Sequence, residues 1–205
     1  EVPRERFVPI DQVGESVRDV AIALDSSEHD TIASTVSAMH AYARSFSLLE
    51  VGPGDRVLDL GAGSGYGAAL LRMLVGEAGQ VVAIELDPAL VEIGRREAGE
   101  VEWRCADALD FATWAFDPRT ITKVSVGFAL DELPEGWLSA FAEGTRIVAP
   151  LRDQPTGELR LTRIVHAGDH FTIEPLEPVH YVAARRPDRP AARPHPREVR
   201  LPVLR

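Results

Sequence analysis

The stretch at residues 57–67, VLDLGAGSGYG, constrains the fold more than any other part of the sequence. Three apolar residues and one acid predict a buried strand, the glycines predict a tight turn, and the residues from Ala68 onward predict a helix. Glycine adopts positive φ without steric cost, and the N-terminus of a helix offers free N–H groups to an anion. The stretch therefore predicts a loop that binds the carboxylate or phosphate of a nucleotide-like ligand.

The spacing of the glycines narrows the choice of ligand. A dinucleotide-binding fingerprint reads G-x-G-x-x-G, but counted from Gly61 and Gly63 its third glycine position holds Tyr66. The spacing present, Asp59-x-Gly61-x-Gly63-x-Gly65, resembles motif I of the class I S-adenosylmethionine-dependent methyltransferases. This resemblance implies S-adenosylmethionine as cofactor and S-adenosylhomocysteine as product. It also implies that the loop amides meet the methionine carboxylate and that Asp59 helps to hold the amino-acid moiety.

Two further acids follow predicted strands. Glu85 closes the apolar run at residues 80–85, about 20 residues beyond the glycine loop, where an acid accepts both ribose hydroxyls. Asp107 closes the run at residues 101–107. In the resembled class an acid at this place receives the adenine amino group, and an Asp here equally suits a helix cap. The resemblance assigns ten residues to the cofactor: Asp59, Gly61, Gly63, Ser64, Gly65, Tyr66, Glu85, Leu86, Asp107 and Ala108.

Strand and helix patterns alternate along most of the chain. Residues 123–129 and 144–151 predict two more strands, and residues 158–165 and 170–179 predict an antiparallel pair. The expected fold is α/β, a class I methyltransferase (Rossmann-like) architecture with a mostly parallel sheet, helices on both faces and a C-terminal antiparallel hairpin. The expected organisation is an N-terminal arm with a substrate-region helix at 1–50, a cofactor-binding core at 51–184 and a basic Pro/Arg-rich extension at 185–205.

Composition restricts the function classes. With 45% hydrophobic and 26% charged residues the chain has the composition of a soluble globule, and no run approaches the roughly 20 apolar residues of a membrane span. The first residues lack the apolar core of a signal peptide, which favours the cytoplasm. Cys105 is the single cysteine and the six histidines lack ligand spacing, so we expect no metal.

The net charge of the chain restricts its binding partners. The formal net charge of −10 argues against a nucleic-acid partner, because binding phosphates needs a basic face. Residues 185–205 differ from the rest, with seven arginines against two acids. Such an extension can contact an acidic partner or remain a solvated end, and both interpretations stay open.

The first residues of the chain carry a second resemblance. Residues 2–9, VPRERFVP, resemble the N-terminal signature V-P-R-x-x-F-V-x of the protein-L-isoaspartate O-methyltransferases. Two prolines bracket the apolar anchors and favour an arm laid against the core over a free helix. Together with the glycine loop some 50 residues later, this arm points to that family.

A helix is predicted at residues 38–49, because its large apolar residues recur at helical spacing. The residues that share this face are Met39, Tyr42, Phe46 and Leu49. His40 is the nearest basic candidate for chemistry, but on a helix with this pattern we expect a structural histidine.

Hydroxyl residues precede this helix. Ser34, Thr35 or Ser37 can cap it. The resembled family carries a T-I-S type motif here, with its serine near the transferred methyl and the substrate carboxylate. A gapless alignment backward from the helix places Thr35 at that serine, whereas a forward alignment from residues 31–32 points to Ala33 or Ser34. The resemblance thus names Thr35 and Ser34 as catalytic candidates and leaves the register open.

The chemistry implied is methylation of a carboxylate. A carboxylate is ionised at neutral pH and needs no general base, so the protein supplies positioning and partial removal of water. Residues 26–30, SSEHD, replace the glycine-rich lead-in of the repair enzymes. With that departure, the chain resembles the subgroup that tailors ribosomal peptides, including lanthipeptides. This subgroup methylates an ordinary aspartate in a cyclised precursor peptide, which leads to succinimide and isoaspartate.

Three alternatives remain beside this peptide-tailoring hypothesis: repair of isoaspartate in damaged proteins, methylation of a small molecule, and a cofactor-binding subunit without catalysis. The expected partner is a peptide substrate, with no nucleic acid and no membrane. The sequence does not indicate the oligomeric state.

Overall fold

The computed structural model describes residues 1–24 and 34–184, and its main feature is one large β-sheet. This part of the chain holds nine strands: β1 (Ile22–Ala23), β2 (Thr35–Val36), β3 (Arg56–Leu60), β4 (Gln80–Glu85), β5 (Glu102–Cys105), β6 (Lys123–Val126), β7 (Arg146–Arg152), β8 (Leu159–Ala167) and β9 (His170–Pro178). The last seven form one sheet in the order β5-β4-β3-β6-β7-β8-β9, and β1 pairs with β2 separately. Strands β3 to β7 are parallel, whereas β8 and β9 are antiparallel.

Helices cover both faces of this sheet. The α-helices of the described residues are α1 (Met39–Leu49), α2 (Tyr66–Val75), α3 (Pro88–Glu97) and α4 (Trp137–Ala140). One core lies under α1, α2 and α3, and a second core, which includes Trp114 and Trp137, lies on the opposite face. Because successive side chains of a strand point to opposite faces, Val57 enters the first core and Leu58 the second. The predicted α/β architecture with its C-terminal antiparallel hairpin is confirmed.

The strand order sets the place of the site. β3 lies between β4 and β6, so the chain leaves β3 toward one edge and later returns to its other side. In open parallel sheets ligands bind outside the carboxyl ends of the strands at such a switch point. The carboxyl end of β3 is Leu60, which pairs with Ile84 on one side and with Val126 on the other. The glycine loop begins at this point.

The start of α1 differs from the prediction. Its N-cap is Ala38, which makes no side-chain capping bond, so the expected cap from Ser34, Thr35 or Ser37 is wrong. The capping acceptor comes from far along the chain instead, because Asp19 Oδ1 accepts the backbone N–H of His40 at 3.0 Å. The hydroxyls are therefore not used in a cap.

Two segments that pack on the sheet come from opposite ends of the described chain. Phe7, in a short 3-10 helix of the N-terminal arm, is 2% exposed and belongs to the same core as Val57, as expected for an arm laid on the core. After β9 the chain returns to the carboxyl edge, where Ala129 N–H donates to the carbonyl of Val182 at 2.8 Å. We call residues 180–184 the strap.

Residues 1–24 and 34–184 lack two features. None of their helices has the length and apolar character needed to cross a membrane. The same residues contain no group of three His, Cys, Asp or Glu side chains arranged to hold a metal ion. The alignment from residues 31–32, the lead-in at 26–30 and the extension at 185–205 lie outside the described residues.

Candidate active site

The candidate site is a cleft at the carboxyl edge of the sheet. Its walls come from the glycine loop, the ends of β4 and β6, the turn after β5, the hydroxyl segment before α1, and the strap. The residues that line it are Ser34, Thr35, Gly61, Glu85, Leu86, Ala108, Leu109, Gly127, Phe128 and Val182 to Ala184. Among them are six residues named from the sequence: the two catalytic candidates and four of the ten cofactor candidates.

The glycine loop packs tightly against neighbouring backbone and rings. The N–H groups of Gly61 and Ala62 both donate to the carbonyl of Ile84, at 2.9 and 3.1 Å, which ties the loop to β4. Gly61 has φ of +72°, and a Cβ placed there would lie 2.5 Å from Cδ1 of Phe128. Only glycine fits both constraints, so the floor of the cleft is bare backbone.

Glu85 fastens the loop to the end of β4. Its Oε2 accepts the N–H of Gly63 at 2.9 Å, and its Oε1 accepts the N–H groups of Leu86 and Asp87 at 2.8 and 3.0 Å. The side chain is buried, and its two oxygens satisfy three backbone N–H groups of the loop and the end of β4. Carboxylate oxygens have further lone pairs, so Glu85 can still accept hydroxyls from a ligand in the cleft.

Asp59 lies below the loop with almost no access to water. It is 5% exposed, on the face of β3 that α1 and α2 cover. Burial raises the pKa of this carboxyl to about 7, a hydrogen bond with Ser125 acts in the opposite direction, and the charge of Glu85 raises the pKa further. A buried carboxyl of this kind would favour a cationic group beside it, such as an ammonium.

A second, inner cavity surrounds Asp59 and adjoins the cleft through Thr35, Gly61 and Gly127, which line both. Its wall is rich in hydroxyl groups: Thr35, Ser37, Tyr42, Ser45, Ser125 and Tyr181. Burial raises the pKa of Tyr42, and the charge of Asp59 adds to this effect. Burial also raises the pKa of Tyr181. These phenols therefore remain protonated near neutral pH and act as hydrogen-bond donors or acceptors.

The hydroxyl segment lies over the glycine loop. β2 pairs with β1, and the carbonyl of Ser34 accepts the N–H of Leu24 at 3.0 Å. A Cβ built on Gly63 would lie 3.8 Å from both Ser34 Oγ and the carbonyl oxygen of Thr35. Ser34 and Thr35 thus stand against the same loop that forms the floor of the cleft.

Six of the ten predicted cofactor residues lie outside the cleft lining. Asp59 lines the inner cavity and Gly63 donates its N–H to Glu85, and the other four are Ser64, Gly65, Tyr66 and Asp107. Ser64 is 1% exposed and its hydroxyl donates to the carbonyl of Phe7 at 2.6 Å. The ring of Tyr66 packs on Phe7, with 5.6 Å between ring centroids. Gly65 faces Trp103, since a Cβ there would lie 2.8 Å from Cζ2 of that ring.

The fourth is Asp107. Its Oδ1 accepts the N–H of Leu109 at 2.8 Å, and its carbonyl accepts Nε1–H of Trp114 at 2.9 Å. It shapes the turn that brings Ala108 and Leu109 into the cleft, which is the cap-like role left open by the sequence.

His40 lies on the outside of α1, where it pairs with an acid. Its side chain is 72% exposed, and Nδ1 lies 3.1 Å from the Asp19 carboxylate on the outside of α1. In the sequence of α1, His40 falls beside, not on, the apolar face. Neither the cleft nor the inner cavity includes it.

Several site residues gave no functional signal in the sequence. Phe128 follows the end of β6, a position where the strand-end rule could have flagged it. Tyr42 was interpreted as a core residue of α1. Tyr181 and Val182 reach the site only through the return of the strap, which no local pattern announces.

The fold, the glycine loop and the acid at the end of β4 define the class: this is a class I S-adenosylmethionine methyltransferase fold. Comparison with family models then gives one match over residues 1–187, to "Protein-L-isoaspartate(D-aspartate) O-methyltransferase (PCMT)". The chain belongs to this family.

Curated relatives agree with this assignment. A protein-L-isoaspartate O-methyltransferase from Ignicoccus hospitalis is 31% identical over 183 residues, which cover 88% of this chain and 83% of the relative. The enzyme of the same name from Thermotoga maritima is 32% identical over 160 residues, 74% of this chain. That match covers 48% of the Thermotoga protein, so the chain spans about half the length of this relative.

Solved structures show the same fold. A protein-L-isoaspartate O-methyltransferase superposes with a TM-score of 0.75 and 25% identity, over 90% of this chain and 59% of that one. A second structure, from Plasmodium falciparum and in complex with S-adenosyl-L-homocysteine, gives 0.71 and 19% identity, over 90% of this chain and 86% of that one. The second likeness supports the fold alone.

Proposed function

We propose that this chain is an S-adenosylmethionine-dependent O-methyltransferase that esterifies the free carboxylate of isoaspartyl residues in peptides or proteins. Family membership supplies the reaction class, and the names of the relatives supply the substrate class. The observation that carries the proposal is the position of Thr35, which lines both the cleft and the inner cavity. A substrate carboxylate beside Thr35 would lie at the junction between the two.

The residues of the cleft fit the cofactor. Glu85 would accept the ribose hydroxyls, the loop at Gly61 would face the methionine moiety, and Asp59 would favour its ammonium group. Leu86 and Ala108 would contact the adenine. The cofactor supplies an electrophilic methyl group when bound.

The side chains of the cleft would position the nucleophile. Ser34 and Thr35 would donate hydrogen bonds that orient the substrate carboxylate toward the methyl group. Burial of the site by Phe128 and the strap would remove water from this carboxylate and raise its reactivity. A carboxylate nucleophile has no proton to lose at neutral pH, so the reaction needs no general base, and the Glu85 carboxylate of the cleft would be free to bind the cofactor.

The expected domain roles follow the same division. Residues 1–50 would carry substrate recognition, residues 51–184 would hold the cofactor, and the extension at 185–205 would contact an acidic partner or remain solvated.

A second candidate is methylation of an ordinary aspartate in a cyclised ribosomal peptide of the lanthipeptide type. The observation that favours it is in the sequence, where residues 26–30 replace the glycine-rich lead-in of repair enzymes. The curated relatives favour isoaspartate instead, and we therefore rank the repair-type reaction first.

Mass spectrometry of matched peptides tests the proposal. One linear sequence is synthesised with isoaspartate, with aspartate, and with aspartate inside a cyclised form, and each peptide is incubated with enzyme and cofactor. A gain of one methyl on the isoaspartyl peptide is the expected result. Methylation of the cyclised aspartyl peptide alone would replace the proposal with the second candidate. A Glu85→Ala variant serves as the control with impaired cofactor binding.

A further inference from the structure

Arg4 is a buried cation that the proposed chemistry does not use. It is 4% exposed and belongs to the N-terminal arm, and among the described residues its guanidinium donates to main-chain oxygens. Its hydrogen bonds go to five backbone carbonyls: Ser16 at 3.3 Å, Arg18 at 2.8 Å, Val20 at 2.6 Å, Val36 at 3.5 Å and Ser37 at 2.8 Å. Burial of a charge is costly without such partners, so this arrangement fixes the surrounding backbone strongly.

The ring of Tyr66 adds to the fixation of Arg4. The guanidinium carbon lies 5.8 Å from the centroid of this ring, within the range of a cation–π contact. Tyr66 is the first residue of α2, directly after the glycine loop. Arg4 therefore links the arm, the hydroxyl segment and the helix that follows the loop.

Tyr42 contacts both Ser37 and the start of α2. Its hydroxyl oxygen accepts the backbone N–H of Ser37 at 3.2 Å. Its ring meets Tyr66 edge to face, with 5.5 Å between centroids, and a Cβ built on Gly67 would lie 2.8 Å from Cε1 of Tyr42. The phenol is thus held by the start of α2 while it holds the start of α1.

Both backbone polar groups of Ser37 are consequently fixed, the carbonyl by Arg4 and the N–H by Tyr42. Ser37 lines the inner cavity together with Thr35. We infer that Arg4 and Tyr42 are positioning residues that clamp the backbone of Ser37 and so hold the hydroxyl segment, residues 34–37, at the substrate carboxylate. This inference rests on the proposed function.

Two conservative variants test the clamp. Tyr42→Phe keeps the ring packing and removes the acceptor for the Ser37 N–H. Arg4→Lys keeps a charge but replaces a planar fork of five N–H donors by a point donor that reaches fewer carbonyls. The matched controls are Arg6→Met on the same arm and Ser47→Ala on α1, both at exposed positions.

The readouts are kcat and KM with an isoaspartyl peptide, the dissociation constant of S-adenosylhomocysteine, the unfolding midpoint, and hydrogen exchange of the peptide that contains Ser37. For Tyr42→Phe we expect kcat/KM to fall about fivefold, the loss of one neutral hydrogen bond, while cofactor affinity changes less than twofold. Arg4→Lys should lower kcat/KM by tenfold or more. Exchange at Ser37 should accelerate in both variants and in neither control.

Three results would overturn the inference. Kinetics of both variants equal to those of the controls would show that the clamp has no effect on the reaction. Equal losses in cofactor affinity and kcat/KM, with a lower unfolding midpoint, would show that both residues serve stability alone. Unchanged hydrogen exchange at Ser37 would show that Arg4 and Tyr42 do not hold its backbone. Wild-type protein that methylates no peptide would instead contradict the proposed function, and hydrogen exchange would then decide on the clamp separately.

Discussion

Replacement of Asp59 by Asn should stabilise the ligand-free protein at alkaline pH. Burial raises the pKa of the Asp59 carboxyl from 3.8 to about 7. At about 1.4 kcal/mol for each pKa unit, ionisation of this carboxyl costs the folded protein about 4 kcal/mol more than it costs the unfolded chain. The folded state holds this proton to higher pH than the unfolded chain does. Folded protein therefore binds more protons between about pH 4 and about pH 7, and stability falls as the pH rises through this window.

Asn is isosteric and uncharged, so Asp59→Asn removes this cost. We expect the variant to exceed wild type by up to about 4 kcal/mol in free energy of unfolding at pH 8, with a difference near zero at about pH 4. Urea unfolding followed by circular dichroism measures the difference, and Asp11→Asn at an exposed position controls for the loss of one negative charge. A difference between Asp59→Asn and wild type that is the same at pH 5 and pH 8 would refute the reasoning. The same substitution should weaken S-adenosylmethionine binding about tenfold, because the carboxyl that we propose to face the ammonium loses its charge.

Three further predictions follow from the geometry of the site and core. Gly61→Ala should reduce affinity for S-adenosylhomocysteine more than tenfold, because its Cβ would meet Phe128 at 2.5 Å and φ is +72°. Calorimetry should show that a Gly61→Ala/Phe128→Leu double variant recovers part of this affinity. No recovery would contradict the steric explanation. Thr35→Ala should lower kcat severalfold with little change in cofactor affinity, whereas Glu85→Gln should mainly weaken cofactor affinity. If each variant changed kcat and cofactor affinity equally, Thr35 and Glu85 would not have separate roles in catalysis and cofactor binding. His166→Leu should raise the free energy of unfolding by about 1 kcal/mol, because the ring is 6% exposed and neither nitrogen hydrogen-bonds to any residue that the structure describes. A loss of stability in denaturant titration would contradict this prediction.

The glycine loop and Glu85 were predictable because their information is local. A buried strand, a turn that needs positive φ and a helix follow one another within a few residues, and the structure places Gly61 and Glu85 in the lining of the cleft. The cap of α3 was predictable for the same reason, since Asp87 accepts the N–H of Ala89 two residues later. Short-range hydrogen bonding leaves a clear trace in sequence.

Contacts between distant segments left no such trace. Asp19 accepts the N–H of His40 at the start of α1 from 21 residues away, where no neighbouring residue indicates it. Ser64 belongs to the motif but faces Phe7, because the N-terminal arm passes beneath the loop. α4 has only four residues, Trp137–Ala140, and its Trp137 is buried in the second core by contacts with segments distant in sequence. The roles of these residues depend on contacts between segments that are distant in sequence, so no local pattern predicts them.

The most direct test of the central claim is the ratio of kcat/KM for isoaspartyl and aspartyl versions of one peptide, measured with a methyl-labelled cofactor. Mild base releases the label from a carboxyl ester as methanol but leaves methyl groups on nitrogen in place, so the product class is read in the same assay. We predict base-labile label and a ratio well above ten in favour of isoaspartate. Base-stable label, or a ratio below one, would contradict the account.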